Sequence, residues 1–427
     1  GGSISANNAH GGEIRAALFT NASGDAVTVR NSSGLTVAVT VEDAGGWAAA
    51  AEYSDCLHLD INANECGSGG IHLAHCQEAD AILNGGESPV GLEIMSSTFC
   101  TAQVTFDLAD TGIRLQDGAG HAIRNCALNR CTAGLHVSDV SDSEVDSHAE
   151  ECPIAAQLEG NTQRNLFDIT AVGGNRALQA SGADIANNFF SADVTLIGGD
   201  AVLLENGPHD NLLRVTANGN VNGNAIALTG AGTVNNTVTG EIGGALVSVG
   251  GYGVYIDGGA HENAVEAGID HCAKGGIYVG ENILNTRIEK CRIGKTAANG
   301  PYGIEVRNGA LGTMIVNNEV DLHRSAGVYI AGVRDAANQS MALHDLTMTR
   351  ENGEIACACG IHLAGCAGVY LGDIWTFGGY DTGLIVDGGD SLNITGTSLR
   401  FAFMNTLGAL LLGVKDSVFT DVQCEDN

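Results

Sequence analysis

Between Tyr252 and Gly332 the chain states one short phrase four times. It reads Tyr-Gly-Val-Tyr-Ile-Asp from Tyr252, Gly-Gly-Ile-Tyr-Val from Gly275, Tyr-Gly-Ile-Glu-Val-Arg from Tyr302 and Ala-Gly-Val-Tyr-Ile from Ala326. Each copy is a small residue, an apolar residue, a variable one, an apolar one and then a turn. The phrase recurs about every 21 to 27 residues through most of the chain, as Gly-Ile-His-Leu at Gly70, Gly-Leu-Glu-Ile at Gly91, Gly-Leu-His-Val at Gly134 and Gly-Ile-His-Leu at Gly360. A period of that length is the mark of a solenoid, and a chain of 427 residues is too long for one ordinary core unless it repeats.

Each unit holds further short runs of alternating apolar and polar residues, such as Asn-Thr-Arg-Ile-Glu-Lys-Cys-Arg-Ile from Asn285. Alternation predicts strands with one buried face. Three short strands per unit, divided by Gly and Asn turns, must pair with the equivalent strands of the next unit. That geometry is an all-β parallel β-helix of about seventeen coils. Asn125, Asn317 and Asn393 fall at turns, where asparagine tolerates left-handed backbone. Helical repeats would need a 3.6-residue period, which is missing. With no Ser/Thr/Pro-rich linker, residues 1–427 read as a single β-helix domain. The first residue is not Met, which reads as a piece of a longer or processed chain.

Composition excludes several classes. Sixty-one glycines with 4 prolines and no three-residue period exclude collagen, and 44% apolar residues argue against disorder. The net charge of -31 makes nucleic acid and anionic membranes poor partners. No apolar run approaches the ~20 residues of a membrane helix, so no membrane insertion is expected. Thirteen cysteines is an odd number. Cys66, Cys131, Cys152, Cys272 and Cys359 precede new units, which favours a buried ladder of free thiols over disulfides.

The coil phrase resembles the right-handed parallel β-helix superfamily, which includes pectate lyases, polygalacturonases, inulin fructotransferases and phage tailspikes. The resemblance covers nearly the whole chain and rests on the phrase alone. The polygalacturonase signatures Asn-Thr-Asp, Gly-His-Gly and Arg-Ile-Lys are missing, Arg287-Ile288-Glu289-Lys290 only approaching the last. What the resemblance implies is a polysaccharide or other glycan as ligand, an extracellular or virion-surface location and, by analogy with tailspikes, a homotrimer.

The variable residue of the phrase is flanked by inward residues and must point outward. Stacked coils make it a column: His72, Glu93, Arg114, His136, Gln157, Gln179, Leu203, Ala227, Tyr255, Tyr278, Glu305, Tyr329, His362 and Ile385. Tyr255, Tyr278, Glu305, Tyr329 and His362 fall on successive coils, about 4.8 Å apart. Aromatic rings beside a carboxylate suit a sugar groove. A second outward column holds Gln116 or Asp117, Asp139, Glu159, Glu205, Asp257, Arg307 and Asp387. Asp257 and Glu305 are expected to face each other across the Tyr278 coil at roughly 10 Å, near the ~6.5–9.5 Å of inverting glycosidases. The catalytic candidates are therefore Glu305 as general acid and Asp257 as base. Tyr255, Tyr278, Tyr329, His362 and Arg307 are the substrate-binding candidates, and strand surface or a subunit contact is the competing reading of all of them.

Other constellations are weaker. Cys357, Cys359, His362 and Cys366 have ligand types zinc accepts, yet strand alternation sends His362 away from the cysteines. Asp139, Asp142, Glu144 and Asp146, with Glu150 and Glu151, would suit Ca²⁺, although a solvated acidic turn explains them as well. No other cofactor is called for. Lys290, Arg292 and Lys295 form a small basic cluster. Two functions compete. One is a carbohydrate-binding β-helix that cleaves its glycan, a glycoside hydrolase before a polysaccharide lyase. The other is a non-enzymatic structural or adhesive solenoid of a virion fibre, appendage or surface layer.

Overall fold

The computed structural model describes residues 2–244, 248–294, 300–321, 323–334, 341–349, 357–389 and 391–425. Of the residues singled out above, Lys295 lies outside them. Among the described residues every regular element is a strand, and the strands pair in parallel with the equivalent strands one coil away. The chain is a parallel β-solenoid of about seventeen turns with three strands per coil. It forms two compact units, Gly1–Gly198 and Gly199–Asn427.

In each unit the phrase strands make one ladder. In the first they run from Ile4–Asn7 to Arg176–Ser181, and in the second from Val202–Glu205 to Leu407–Leu411. A second ladder carries the longer strands, such as His58–Asn64 and Thr313–Asp321. The third strand is pared to single bridges in series such as Ser33, Asp55, Gln77, Thr98 and Ala119, and to a two-residue pairing of Ser391–Leu392 with Val414–Lys415.

Register stacks like on like. Ile71, Leu92, Ile113, Leu135, Ala156 and Leu178 pair in sequence in the first unit. Val254, Ile277, Ile304, Val328, Ile361 and Leu384 do so in the second. All are fully buried, and each large apolar side chain contributes about 1.5–3 kcal/mol of transfer free energy. Corners turn on left-handed residues, including the expected Asn125, Asn317 and Asn393. Bulkier residues such as Tyr53, Phe99 and Leu108 take the same conformation.

The phrase glycine is not a turn residue. It lies inside the strand, where a Cβ would press on the carbonyl oxygen of the next coil: 2.7 Å for Gly112 on Gly134, 2.6 Å for Gly276 on Gly303, 2.7 Å for Gly303 on Gly327. Gly253 and Val254 both face the core, Gly253 towards Ile269 and Cys272. Two inward residues in succession break strict alternation, so the residue before the glycine returns to the outer face.

Polar side chains also form ladders. Buried Asn211, Asn236 and Asn263 each bond the next in the series. Asn236 takes the Asn211 amide at 3.1 Å, and Asn263 takes the Asn236 amide at 2.9 Å. Twelve described cysteines are free thiols, all buried except Cys56 and Cys424. Cys131 and Cys152 meet on adjacent coils as a ladder requires, but the set does not all share one phase. Cys359 pairs with Ala326 and Thr382 on the outer side of the phrase strand, whereas Cys272 occupies the single-bridge position.

Candidate functional site

Three outward columns line the phrase ladder of the second unit. The middle one is the expected series Ala227, Tyr255, Tyr278, Glu305, Tyr329, His362 and Ile385, each paired with the next. On one side Tyr252 pairs with Gly275, and Gly275 with Tyr302. On the other side lie Thr229 and Asp257, paired with each other, and farther along Ala364 and Asp387. In the first unit the outer neighbours are Gln116, Ser138 and Glu159. Asp117 and Asp139 are displaced onto left-handed corners, φ 53° and 57°, because the corner inserts a residue into the strand period.

Neighbouring tyrosines sit on consecutive coils, and coil spacing brings their rings into contact with one another. Tyr255 and Tyr278 stack at 5.0 Å with a 6° interplanar angle, and Tyr302 and Tyr329 at 4.4 Å and 10°. Tyr252 packs on the first pair, 5.0 Å from Tyr278. His362 meets Tyr329 edge-on at 5.2 Å, and the Arg307 guanidinium lies 5.2 Å above the Tyr329 ring. The ring faces are thus largely occupied within the protein. What the wall turns outward is ring edges and hydroxyls.

Glu305 lies between the two stacks and differs from expectation. It shares the outward column, but its side chain is only 3% exposed. The Tyr252 hydroxyl donates to its Oε2 at 2.9 Å across two coils, and Arg307 pairs with its Oε1. Alternation gives a direction and not a cover; long neighbours close over this short column member. Asp257 is half-buried, accepting the Tyr255 hydroxyl at 2.5 Å and the Gly258 amide at 2.8 Å. His362 Nε2 lies 3.1 Å from Asp387. Both expected catalytic carboxylates therefore hold other residues of the wall in place.

Burial raises four of these phenols, with nearby carboxylates adding to it. Burial first, then Glu305, pushes the Tyr252 phenol above its usual range. Burial and the bond to Asp257 do the same for Tyr255. Burial also raises Tyr278 and Tyr302. Burial opposes the Arg307 cation, but Glu305 outweighs it and the group lies above its ordinary value.

Tyr252 and Tyr302 were missed as site residues although they open two of the repeated phrases. Strict alternation sends them inward, and only the doubled inward step at the glycine reverses that. The signal was present as an aromatic residue immediately before the phrase glycine.

The remaining constellations do not converge. Asp142 pairs with Arg164 and Glu144 with Arg124, while Asp139 accepts the Asn161 amide and Asp146 the Asn125 amide. Cys366 donates to core carbonyls while His362 stands outside. Lys290 pairs with Glu266 and Glu289. Among the described residues no group of three metal-ligating side chains comes together.

No family model and no curated protein matches the chain. Solved structures do. The A-module of mannuronan C-5 epimerase AlgE4 from Azotobacter vinelandii is 10% identical, over 98% of this chain and 91% of that one, with a TM-score of 0.34. A double mutant of the tailspike protein of E. coli bacteriophage HK620, in complex with a pentasaccharide, is 10% identical over 83% and 72%, at 0.40. A mutant of the periplasmic alginate epimerase AlgG is 10% identical over 92% and 76%, at 0.32. At such identities and scores no residue role and no activity passes from those proteins to this chain.

Proposed function

We propose that the tyrosine wall of the second unit is a glycan-binding surface, and that the protein binds an extracellular or surface polysaccharide. The observation that supports this is the row of hydrogen-bonding groups on successive coils: the Tyr255, Tyr278, Tyr302 and Tyr329 hydroxyls with Asp257, Arg307 and His362. A polyol chain lying along the coils meets a donor or acceptor roughly every 4.8 Å, at a surface whose ring edges suit the C–H flank of a sugar. Glu305 and Asp257 act as positioning residues on this reading, because their oxygens are bonded to Tyr252, Arg307 and Tyr255. The sequence resemblance adds a virion or cell-surface location and a homotrimer; light scattering that gives a monomer removes the latter.

Incubation with a panel of neutral and weakly charged polysaccharides tests the reading. The expected result is saturable binding lost in Tyr278→Ala, without new reducing ends. Reducing ends that vanish in Glu305→Gln would instead restore hydrolysis by the Glu305 and Asp257 pair. Absence of binding across the panel would favour a structural solenoid.

A further inference from the structure

A second cluster stands on the phrase face of the first unit. Trp47 lies over Gly69, where a Cβ would collide with its ring, and packs on the His72 ring at 5.1 Å. His72, Glu93, Arg114 and His136 follow one another in register on successive coils. His72 Nδ1 donates to Glu93 Oε2 at 2.8 Å and Arg114 donates to Oε1 at 3.0 Å. The Glu93 side chain is 10% exposed, and that of Arg114 is 35% exposed. Both carboxylate oxygens are thus engaged, and what reaches solvent is an indole, an imidazole and the free N–H groups of a guanidinium.

The flanking columns over these coils carry Val90, Thr111 and Ala133 on one side and Met95, Gln116 and Ser138 on the other. None is acidic. In a chain of net charge -31 this stretch of wall is unusual. Carboxylates flank it: Asp117 and Asp139 on the corner, Glu52 on the Trp47 coil and paired with Arg30, and Glu159, whose Oε2 lies 3.6 Å from His136 Nε2. Long-range repulsion from the rest of the surface is screened within about 10 Å at ordinary ionic strength. The tyrosine wall of the second unit presents the opposite character, with Asp257 and Asp387 along its rim.

We propose that Trp47, His72, Arg114 and His136 form a second glycan site, which takes an oligosaccharide carrying a negatively charged substituent. The indole covers the apolar flank of one sugar, and Arg114, three coils along and held in place by Glu93, meets the anionic group of another. Glu93 is a positioning residue. A carboxylate and a sulfate ester share this chemistry, and the experiment separates them.

The chain has two tryptophans, so Trp375→Phe leaves Trp47 as the reporter. Its fluorescence is titrated with an oligogalacturonate hexamer, a sulfated carrageenan hexamer and neutral maltohexaose. A saturable change with one or both anionic hexamers is expected, with maltohexaose at least about tenfold weaker, a difference of about 1.4 kcal/mol. Arg114→Ala leaves Glu93 buried beside a lost partner and threatens the coil. The paired change Glu93→Gln with Arg114→Gln keeps the hydrogen bonding neutral, and it should weaken anionic binding at least about tenfold. The proposal fails if neither anionic hexamer gives saturation, if maltohexaose binds as tightly, or if the paired variant, with native Trp47 emission, binds unchanged. Tyr278→Ala should leave this titration untouched; a loss there would overturn the independence of the two sites.

Discussion

The bond from Tyr252 to Glu305 spans two coils and 53 residues, so its removal is a clean probe of the second unit. Tyr252→Phe deletes one hydroxyl and keeps the ring in its contacts with Tyr255 and Tyr278. It also leaves one oxygen of a carboxylate that is 3% exposed without its donor. Hydrogen bonds to charged groups contribute about 1.5–3 kcal/mol, and the orphaned acceptor places the loss near 2 kcal/mol. For a unit of this size that is a fall in melting temperature of roughly 4–8 °C by calorimetry. Glu305→Gln removes the charge that Tyr252 and Arg307 share. If the three act as one cluster, the double variant Tyr252→Phe with Glu305→Gln should cost about 1 kcal/mol less than the sum of the singles. A shift below about 1 °C for Tyr252→Phe, or strict additivity of the pair, would refute the claim that Glu305 organises the wall.

Three further outcomes follow from the same packing. Burial depresses the His121 imidazole from 6.5 to about 4 and that of His323 to about 3. The unfolded chain therefore gains protons first: stability is full above pH 6.5, falls as pH drops through that value, and levels only below the folded values. For His121 the full loss is on the order of 3 kcal/mol, and melting curves from neutral to acid pH should flatten in His121→Asn. Asn236→Ala breaks the polar ladder at the Asn211 amide and leaves it buried, which should destabilise the second unit by about 2–4 kcal/mol in urea titration. Gly303→Ala places a methyl 2.7 Å from the Gly327 carbonyl oxygen, which should cost about 1–3 kcal/mol and disturb binding at Tyr302 and Tyr329.

The solenoid was legible because the phrase repeats a physical demand: two inward residues at each coil must sit on the same two of the next. Ile277 on Ile304 on Val328 follows from that demand alone. The column Tyr255, Tyr278, Glu305, Tyr329 and His362 followed as well. Three things did not. The outward turn of Tyr252 and Tyr302 depends on the doubled inward step at Gly253 and Gly303, which a period of two cannot express. The cover over Glu305 comes from Tyr252, two coils away, and from Arg307 in the next column; a one-dimensional pattern assigns direction but not neighbours. The ladder of Asn211, Asn236 and Asn263 was present at spacings of 25 and 27 residues. It was hidden because asparagine at a solenoid corner already has a sufficient local explanation.

The claim on which the rest depends is that successive coils lie in register and set these tyrosines against one another on one wall. Photochemical oxidation of the folded protein at low concentration, followed by mass spectrometry of its peptides, tests it most directly, since phenols within one molecule couple only where their rings lie close together. The stacks at 5.0 Å and 4.4 Å predict dityrosine between Tyr255 and Tyr278 and between Tyr302 and Tyr329. Coupling confined to other pairs, or none between these peptides in protein that retains its β-sheet spectrum, would contradict the account.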